Sequence, residues 1–395
     1  MSFWSRIRAA RDGKLDEHAP VGVGNQASAQ ESMTGGENET QWALIWRKFR
    51  HHKLAMGGLI VVLIFYFVAL FAEFLAPMDP RRFDSDFPYA PPHTLRLFEQ
   101  TERGTVFNPH ILAYDIEVDA ERFVRYFVPD EDQVVDVGFF VRAEPYRLLG
   151  LIPMQRRFFG TVDPQEQVFL LGADRLGRDL LSRMIHGTRV SMTVGLVGVT
   201  LSLVLGVMLG GISGYFGGGT DNFIQRVIEF LQSIPSIPLW LGLSAAIPPR
   251  IPPLTVYFLI TVILSVLGWT GLARVVRGKF MSLKSEDFVL AARLDGCSSG
   301  RVIRRHMVPS FTSHIIATTT LAVPRMIIGE TSLSFLGLGL RPPVISWGVL
   351  MQEAQNIRTV STAPWLLLPG LLVTIAVLAL NFLGDGLRDA SDPYA

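Results

Sequence analysis

The stretch SEDFVLAARLDGCSSGRVIRRHMVPS, Ser285–Ser310, is polar and arginine-rich, yet it lies between two strongly apolar runs. Its residues predict two short helices with a glycine between them. Ser285 is placed to cap the first, whose opening turn carries Glu286 and Asp287, the sign that a helix N-terminus favours. Phe288, Leu290, Ala291, Ala292 and Leu294 follow, and Gly296 supplies a left-handed stop. Ser298 is placed to cap the second helix, which holds Arg301, Arg304 and Arg305, with Pro309 after its end. Ala291 and Ala292 make one face of the first helix flat. A flat, short surface helix is weak alone and suits a groove on another protein. The same residues also fit an amphipathic helix lying on anionic lipid.

Outward from this loop, the chain is apolar. Of 395 residues 49% are apolar and 18% are charged, against about a quarter charged in soluble domains. The deficit lies in runs of about 20 residues, the length a helix needs to cross the hydrocarbon core. Six spans are expected, near Leu54–Ala76, Val190–Phe216, Phe223–Ala246, Pro253–Leu272, Thr312–Leu336 and Pro364–Leu383. The third is interrupted by Pro235 and Pro238. Small residues in the second and fifth allow close helix packing. The expected class is an all-α polytopic membrane protein.

Lysine and arginine set the orientation. Arg274–Arg305 holds eight basic residues against three acidic ones, whereas residues 78–170 hold ten arginines against sixteen acids. All five lysines (Lys14, Lys48, Lys53, Lys279, Lys284) lie in the N-terminal tail, the basic anchor or the loop after span four. Both termini and the 274–310 loop are therefore expected inside, and residues 78–170 outside. Residues 1–46 read as a largely disordered cytoplasmic tail with a short amphipathic helix near Trp42–Trp46, and 47–77 as a basic anchor and first span. Residues 78–170 alternate apolar stretches with Pro and Gly breaks and are expected to form a small α+β extracytoplasmic domain.

Several chemistries lack their residues. There is no GxxxxGK[ST], no HExxH and no zinc-spaced cluster, and the single cysteine, Cys297, excludes an intrachain disulfide. No metal, bound cofactor or nucleic acid is expected. Ser332 and Ser334 share an apolar helix with one histidine, His314, about five turns away, so helix packing outweighs catalysis. Glu330 and Arg325 fall inside span five, where a charge costs on the order of 2.5–3.5 kcal/mol and must face protein or water. Glu330 equally fits a pathway-lining residue or a structural one, and Arg325 better fits a position near the outer interface. Read as a helix, Asp174, Arg175, Arg178 and Asp179 before span two space Arg175 and Asp179 to pair. Asp385, Arg388 and Asp389 read as a terminal cap.

The opening stretch resembles the cytoplasmic "EAA" loop of binding-protein-dependent ABC importer permeases, whose pattern is Glu-Ala-Ala, three residues, Gly, nine residues, then apolar-any-Leu-Pro. Leu290-Ala291-Ala292, Gly296 and His306-Met307-Val308-Pro309 occupy those places, with Leu290, His306 and Val308 departing from the strict pattern. LGADRLGRDLLSRMIHGTRVSMTVG (Leu171–Gly195), GETSLSFLGLGLRPPVISWGVLM (Gly329–Met351) and PWLLLPGLLVTIAVLALNFLGDGLRDASDP (Pro364–Pro393) resemble the second, C-type permease of the dipeptide/oligopeptide branch.

The resemblance implies a type I importer permease fold, with residues 171–395 as its core. It implies that Phe288, Leu290, Ala291, Ala292, Leu294, Gly296 and Pro309 form the coupling helix that docks on an ATPase. Pro235, Pro238, Glu330 and Ser332 become candidates for the translocation pathway. Its implied partners are a homologous second permease, two ABC ATPase subunits carrying ATP and Mg, an extracytoplasmic binding protein and the bilayer of a bacterial inner membrane. Peptides are the expected substrate, with oligosaccharides or another small solute as the alternative. A secondary transporter is disfavoured because no inverted repeat is visible.

Overall fold

The structure is a computed structural model that describes residues 41–101, 104–119, 124–248 and 250–391. The expected disordered tail, up to residue 40, lies outside them. Helix α1, Gln41–His51, covers the expected amphipathic segment and carries Lys48, Arg50 and His51 in its last turn. Helix α2, Lys53–Leu70, follows, capped by the His52 ring, which accepts from the Ala55 N–H at 3.1 Å.

Among the described residues between 96 and 161 lie six strands: β1 Arg96–Thr101, β2 Gly104–Asp119, β3 Val124–Phe139, β4 Arg142–Leu148, β5 Ile152–Arg156 and β6 Phe159–Thr161. A four-stranded antiparallel sheet runs β1-β2-β3-β6, and β4-β5 form a separate hairpin. The α+β expectation for residues 78–170 is corrected: among the described residues the segment contains strands and no helix. Its valines and aromatics suit a pleated, half-buried surface, and its prolines remove helix donors. Ile111, Val135, Val137, Met78 and Val168 form one core of this segment. Phe169, Ala90 and Ala173 form a second, with His93 stacked between Tyr114 at 4.2 Å and Phe169 at 5.6 Å.

The long helices come next. They are α3 Leu180–Phe216, α4 Gly218–Ser233, α5 Ser236–Ala245 and α6 Pro253–Leu283. Among the described residues four helical stretches are long and apolar enough to cross a membrane: α2, α3, α6 and Pro364–Ser391. Helices α4 and α5 together make a fifth only as a bent pair, at 86°. The bend falls at Ile234–Pro235, with Pro235 as the N-cap of α5. Pro238 sits in the first turn of α5, where a missing N–H matters least.

Against α6, α3 packs backbone to backbone. Gly206, Gly210 and Gly214 recur every fourth residue, and a Cβ at Gly210 would lie 2.4 Å from the Ala273 carbonyl oxygen. This is close approach through small residues, the membrane form of helix packing.

The expected span Thr312–Leu336 is not one helix. It is broken into Thr312–Thr320 and Val323–Phe335, with Leu321 and Ala322 between them. Pro324 explains the break, since it has no N–H for the preceding turn and its ring clashes there.

Candidate functional site

The loop after α6 rests on a clamp. Asp221 of α4 accepts from Arg277 of α6 at 2.6 Å through both carboxylate oxygens, and the Ser213 hydroxyl also donates to Asp221. A bidentate pair fixes orientation as well as distance, so α4 and the end of α6 hold the base of the loop together.

Beyond it comes the short helix α7, Asp287–Leu294. Ser285 is not its cap. Its hydroxyl donates to the Ser282 carbonyl at 3.1 Å, and Glu286 occupies the N-cap without a side-chain hydrogen bond. The C-terminus does end at Gly296, whose φ is +75°. The Gly296 N–H reaches the Arg293 carbonyl and the Cys297 N–H reaches the Ala292 carbonyl, each at 3.1 Å. Those two bonds are the Schellman closure that a left-handed residue permits.

Helix α7 has two faces, and they correct the flat-face expectation. Val289 and Ala292 (0% and 6% exposed) point inward, onto Tyr215, Leu272, Val276, Phe280, Val302 and Met307. Ala292 therefore anchors the helix to its own chain. Leu290, Ala291 and Leu294 lie on the opposite side and are exposed, with Phe288 exposed at the flank. Leu294 is 88% exposed. The apolar residues turned outward are thus larger than the alanines alone suggested.

The second helix is longer than expected. The short helix Ser299–Val302 continues through a widened turn at Ile303–Met307 into Val308–Ser310. In that turn the Val308 N–H bonds the Ile303 carbonyl, five residues back. Pro309 lies inside the helical run rather than after it, and the extra residue per turn makes room for its ring. Val302 and Met307 are fully buried and hold this helix beneath α7.

The pathway candidates separate. Pro235 and Pro238 are exposed at the bend between α4 and α5, and Ser332 is half-buried. Glu330 is 0% exposed and enclosed by hydroxyls. Ser346 and Ser334 donate to its Oε1 at 2.7 and 2.8 Å, and Ser191 to its Oε2 at 3.4 Å. Each serine also accepts a backbone N–H: Val349 on Ser346, Leu340 on Ser334 and Trp347 on Ser191. Three amides are thereby relayed to one carboxylate. Glu330 is a hub that ties residues 340–349 to α3, and the sequence did not reveal its set of serine partners because Ser346 and Ser191 lie 16 and 139 residues from it.

The segment before α3 is also corrected. Residues 171–179 form a loop closed by an Ala173–Asp179 bridge rather than an amphipathic helix. Arg175 pairs with Glu353 at 3.6 Å, and Asp179 caps α3 by accepting from the Ser182 N–H at 2.7 Å. Asp174 takes both Arg178, at 2.7 Å, and Arg183. Burial pushes the Asp179 carboxyl up to about 6.

Residues 206–394 match the family described as binding-protein-dependent transport system inner membrane component, and residues 40–92 match the N-terminal TM domain of oligopeptide transport permease C. The dipeptide transport system permease protein DppC of Bacillus subtilis is 30% identical over 350 residues, covering 88% of this chain and 84% of that protein. The di/tripeptide transport system permease protein DppC of Pseudomonas aeruginosa is 31% identical over 350 residues, covering 88% of this chain and 90% of that protein. A solved structure of the MetNI methionine ABC transporter aligns at 16% identity with a TM-score of 0.41, covering 52% of this chain and 95% of the matched one. The chain is a multi-pass membrane protein and belongs to the family of binding-protein-dependent transport permeases, the DppC and OppC subunits among them.

Proposed function

We propose that this chain is one of two membrane-spanning subunits of an ATP-driven peptide importer with a type I permease fold of six spans, the bent α4–α5 pair and the broken 312–335 pair each counting as one. Two ATPase subunits, holding ATP and Mg, work beneath it, and an extracytoplasmic binding protein delivers peptide to its outer face. The chain itself binds no cofactor. Both termini and the 274–310 loop face the cytoplasm, and the β-rich 78–170 segment faces outside. The DppC proteins of Bacillus subtilis and Pseudomonas aeruginosa support peptide as the cargo.

One observation carries the coupling role. Leu290 and Leu294 stand exposed on a helix whose other face is locked into the chain by Val289 and Ala292. An apolar stripe on a fixed support transmits force from a partner better than a free peptide does, because a push on it moves the spans it is packed against. ATPase closure would pull α7, and the Arg277–Asp221 clamp would pass that movement to α4 and α6.

Reconstitution tests the whole reading. Proteoliposomes holding this chain, the second permease, the ATPases and the binding protein should accumulate labelled trialanine only with ATP. Equal accumulation without ATP, or none with it, overturns the proposal.

A further inference from the structure

A cavity of about 370 Å³ opens between α3, α6 and the broken helix pair 312–335. Its charged and titratable lining is one-sided. His314, Arg325 and Arg388 line it, and no Asp or Glu does. Among the described residues neither the Arg325 nor the Arg388 guanidinium has an ion pair or a hydrogen bond. The Thr319 hydroxyl on the same wall is buried without a partner, although its neighbour Thr320 bonds back to the Ile316 carbonyl at 2.9 Å. The remaining walls, Val199, Leu272 and Val275 among them, are largely apolar, with the hydroxyls of Ser202 and Thr318 between them.

A guanidinium in a membrane span is retained only with water, an acid or a headgroup beside it. Two arginines, a histidine and an idle hydroxyl facing one space together call for an anion. Apolar walls strengthen that attraction, and the planar fork of arginine matches a carboxylate with two parallel hydrogen bonds.

We propose that this cavity is a cargo site in which Arg325 receives the C-terminal carboxylate of the transported peptide, with Arg388 and His314 lining the same space. This deepens the peptide-import reading and rests on it. The α-carboxylate is the one anionic group that every peptide carries whatever its sequence, so a carrier of varied peptides gains a common handle from it. Broad cargo also needs volume, and the site has it at Gly271: a Cβ there would meet nothing within 4 Å.

The test uses the complete reconstituted complex and labelled trialanine, in phosphatidylcholine vesicles with and without phosphatidylglycerol. Arg325→Gln should lower uptake about tenfold or more, the loss of one charged hydrogen bond or more, and Arg325→Lys should recover part of it. Gly271→Leu should block uptake by filling the cavity, while its added helix propensity keeps the chain folded. Both variants should retain the second permease and the ATPases. Failure of the wild-type complex to move trialanine sinks the peptide reading itself. Normal uptake by Arg325→Gln or Gly271→Leu beside an active wild type sinks this site alone. A defect confined to phosphatidylglycerol vesicles reassigns Arg325 to a lipid headgroup, and loss of the second permease from Arg325→Gln reassigns it to the subunit interface; either overturns the proposal.

Discussion

The Ser346 hydroxyl stands 2.7 Å from Glu330 Oε1 and accepts the Val349 N–H at 3.2 Å, so one serine both caps a helix and pins it to a buried carboxylate. Glu330→Gln keeps the volume but replaces one carboxylate oxygen with an N–H₂, which cannot accept from the serine hydroxyl that donates there. At least one hydrogen bond is lost in a buried place, about 1–3 kcal/mol. Ser346→Ala loses the same bond and the cap of Trp347–Met351, the latter about 1 kcal/mol. Both variants should show faster protease cleavage between residues 337 and 346 and a lower melting temperature of the purified complex. Unchanged cleavage in both would remove Glu330 from its role as a hub.

Gly210 lies where α3 meets α6 with no side chain between. A Cβ there falls 2.4 Å from the Ala273 carbonyl oxygen and 2.9 Å from its Cα. Those are backbone atoms, which cannot rotate aside. Gly210→Val should force the helices apart at a cost of about 1–3 kcal/mol or more, and the detergent-solubilised protein should melt earlier. Gly278→Val, on the same α6, meets nothing within 4 Å and should melt within error of wild type.

How far the sequence reached follows from distance along the chain. The left-handed stop at Gly296 was legible because a helix end is a local event. The small residues of α3 and the proline bend at Pro235 were legible for the same reason. The burial of Ala292 was not, because a helix with apolar residues on both faces does not reveal which face its own chain takes. Nor was the pairing of Arg175, which chose Glu353 over Asp179; an i,i+4 partner requires a helix, and Gly172 and Gly177, both at positive φ, made a loop instead. The Glu330 hub joins residues from three places in the sequence, and no local pattern announces it.

His93 gives the β-rich segment a pH dependence with a definite sign. Burial between Tyr114 and Phe169 pushes its imidazole down to about 4, while Nδ1 accepts the Phe169 N–H at 2.9 Å. The unfolded segment therefore binds more protons between pH 4 and the ordinary histidine value of 6.5. Its stability should be full above about pH 6.5 and should fall as pH drops through that window, by a contribution on the order of 3 kcal/mol. Amide hydrogen exchange at Phe169, measured across the window, should show protection lost toward acid after correction for intrinsic exchange. His93→Phe keeps the ring stack and removes the titration, so its profile should be flatter though lower at neutral pH. A profile as steep as wild type would exclude His93 as the cause.

Leu294 and Ala292 lie two residues apart on α7 and should behave in opposite ways. Leu294 is 88% exposed and supports nothing in its own chain. Leu294→Asp should leave the melting temperature and membrane level unchanged. If the outward stripe is the ATPase contact, the same change removes about 1.5–3 kcal/mol of apolar burial from that interface and weakens ATPase association by roughly tenfold or more. Ala292 is packed on Val302 and Met307. Ala292→Trp should therefore lower the melting temperature of the chain itself, by overpacking worth about 1–3 kcal/mol, before any partner is involved. A lipid-facing helix predicts another pattern. Leu294→Trp should then strengthen membrane attachment of the loop and leave ATPase binding intact, whereas a protein groove shaped for leucine should reject the larger ring. Pull-down of the ATPase subunits by Leu294→Asp and Leu294→Trp, beside melting curves for all three variants, separates these cases. Wild-type ATPase recovery with both Leu294 variants would show that this face of α7 is not the docking surface.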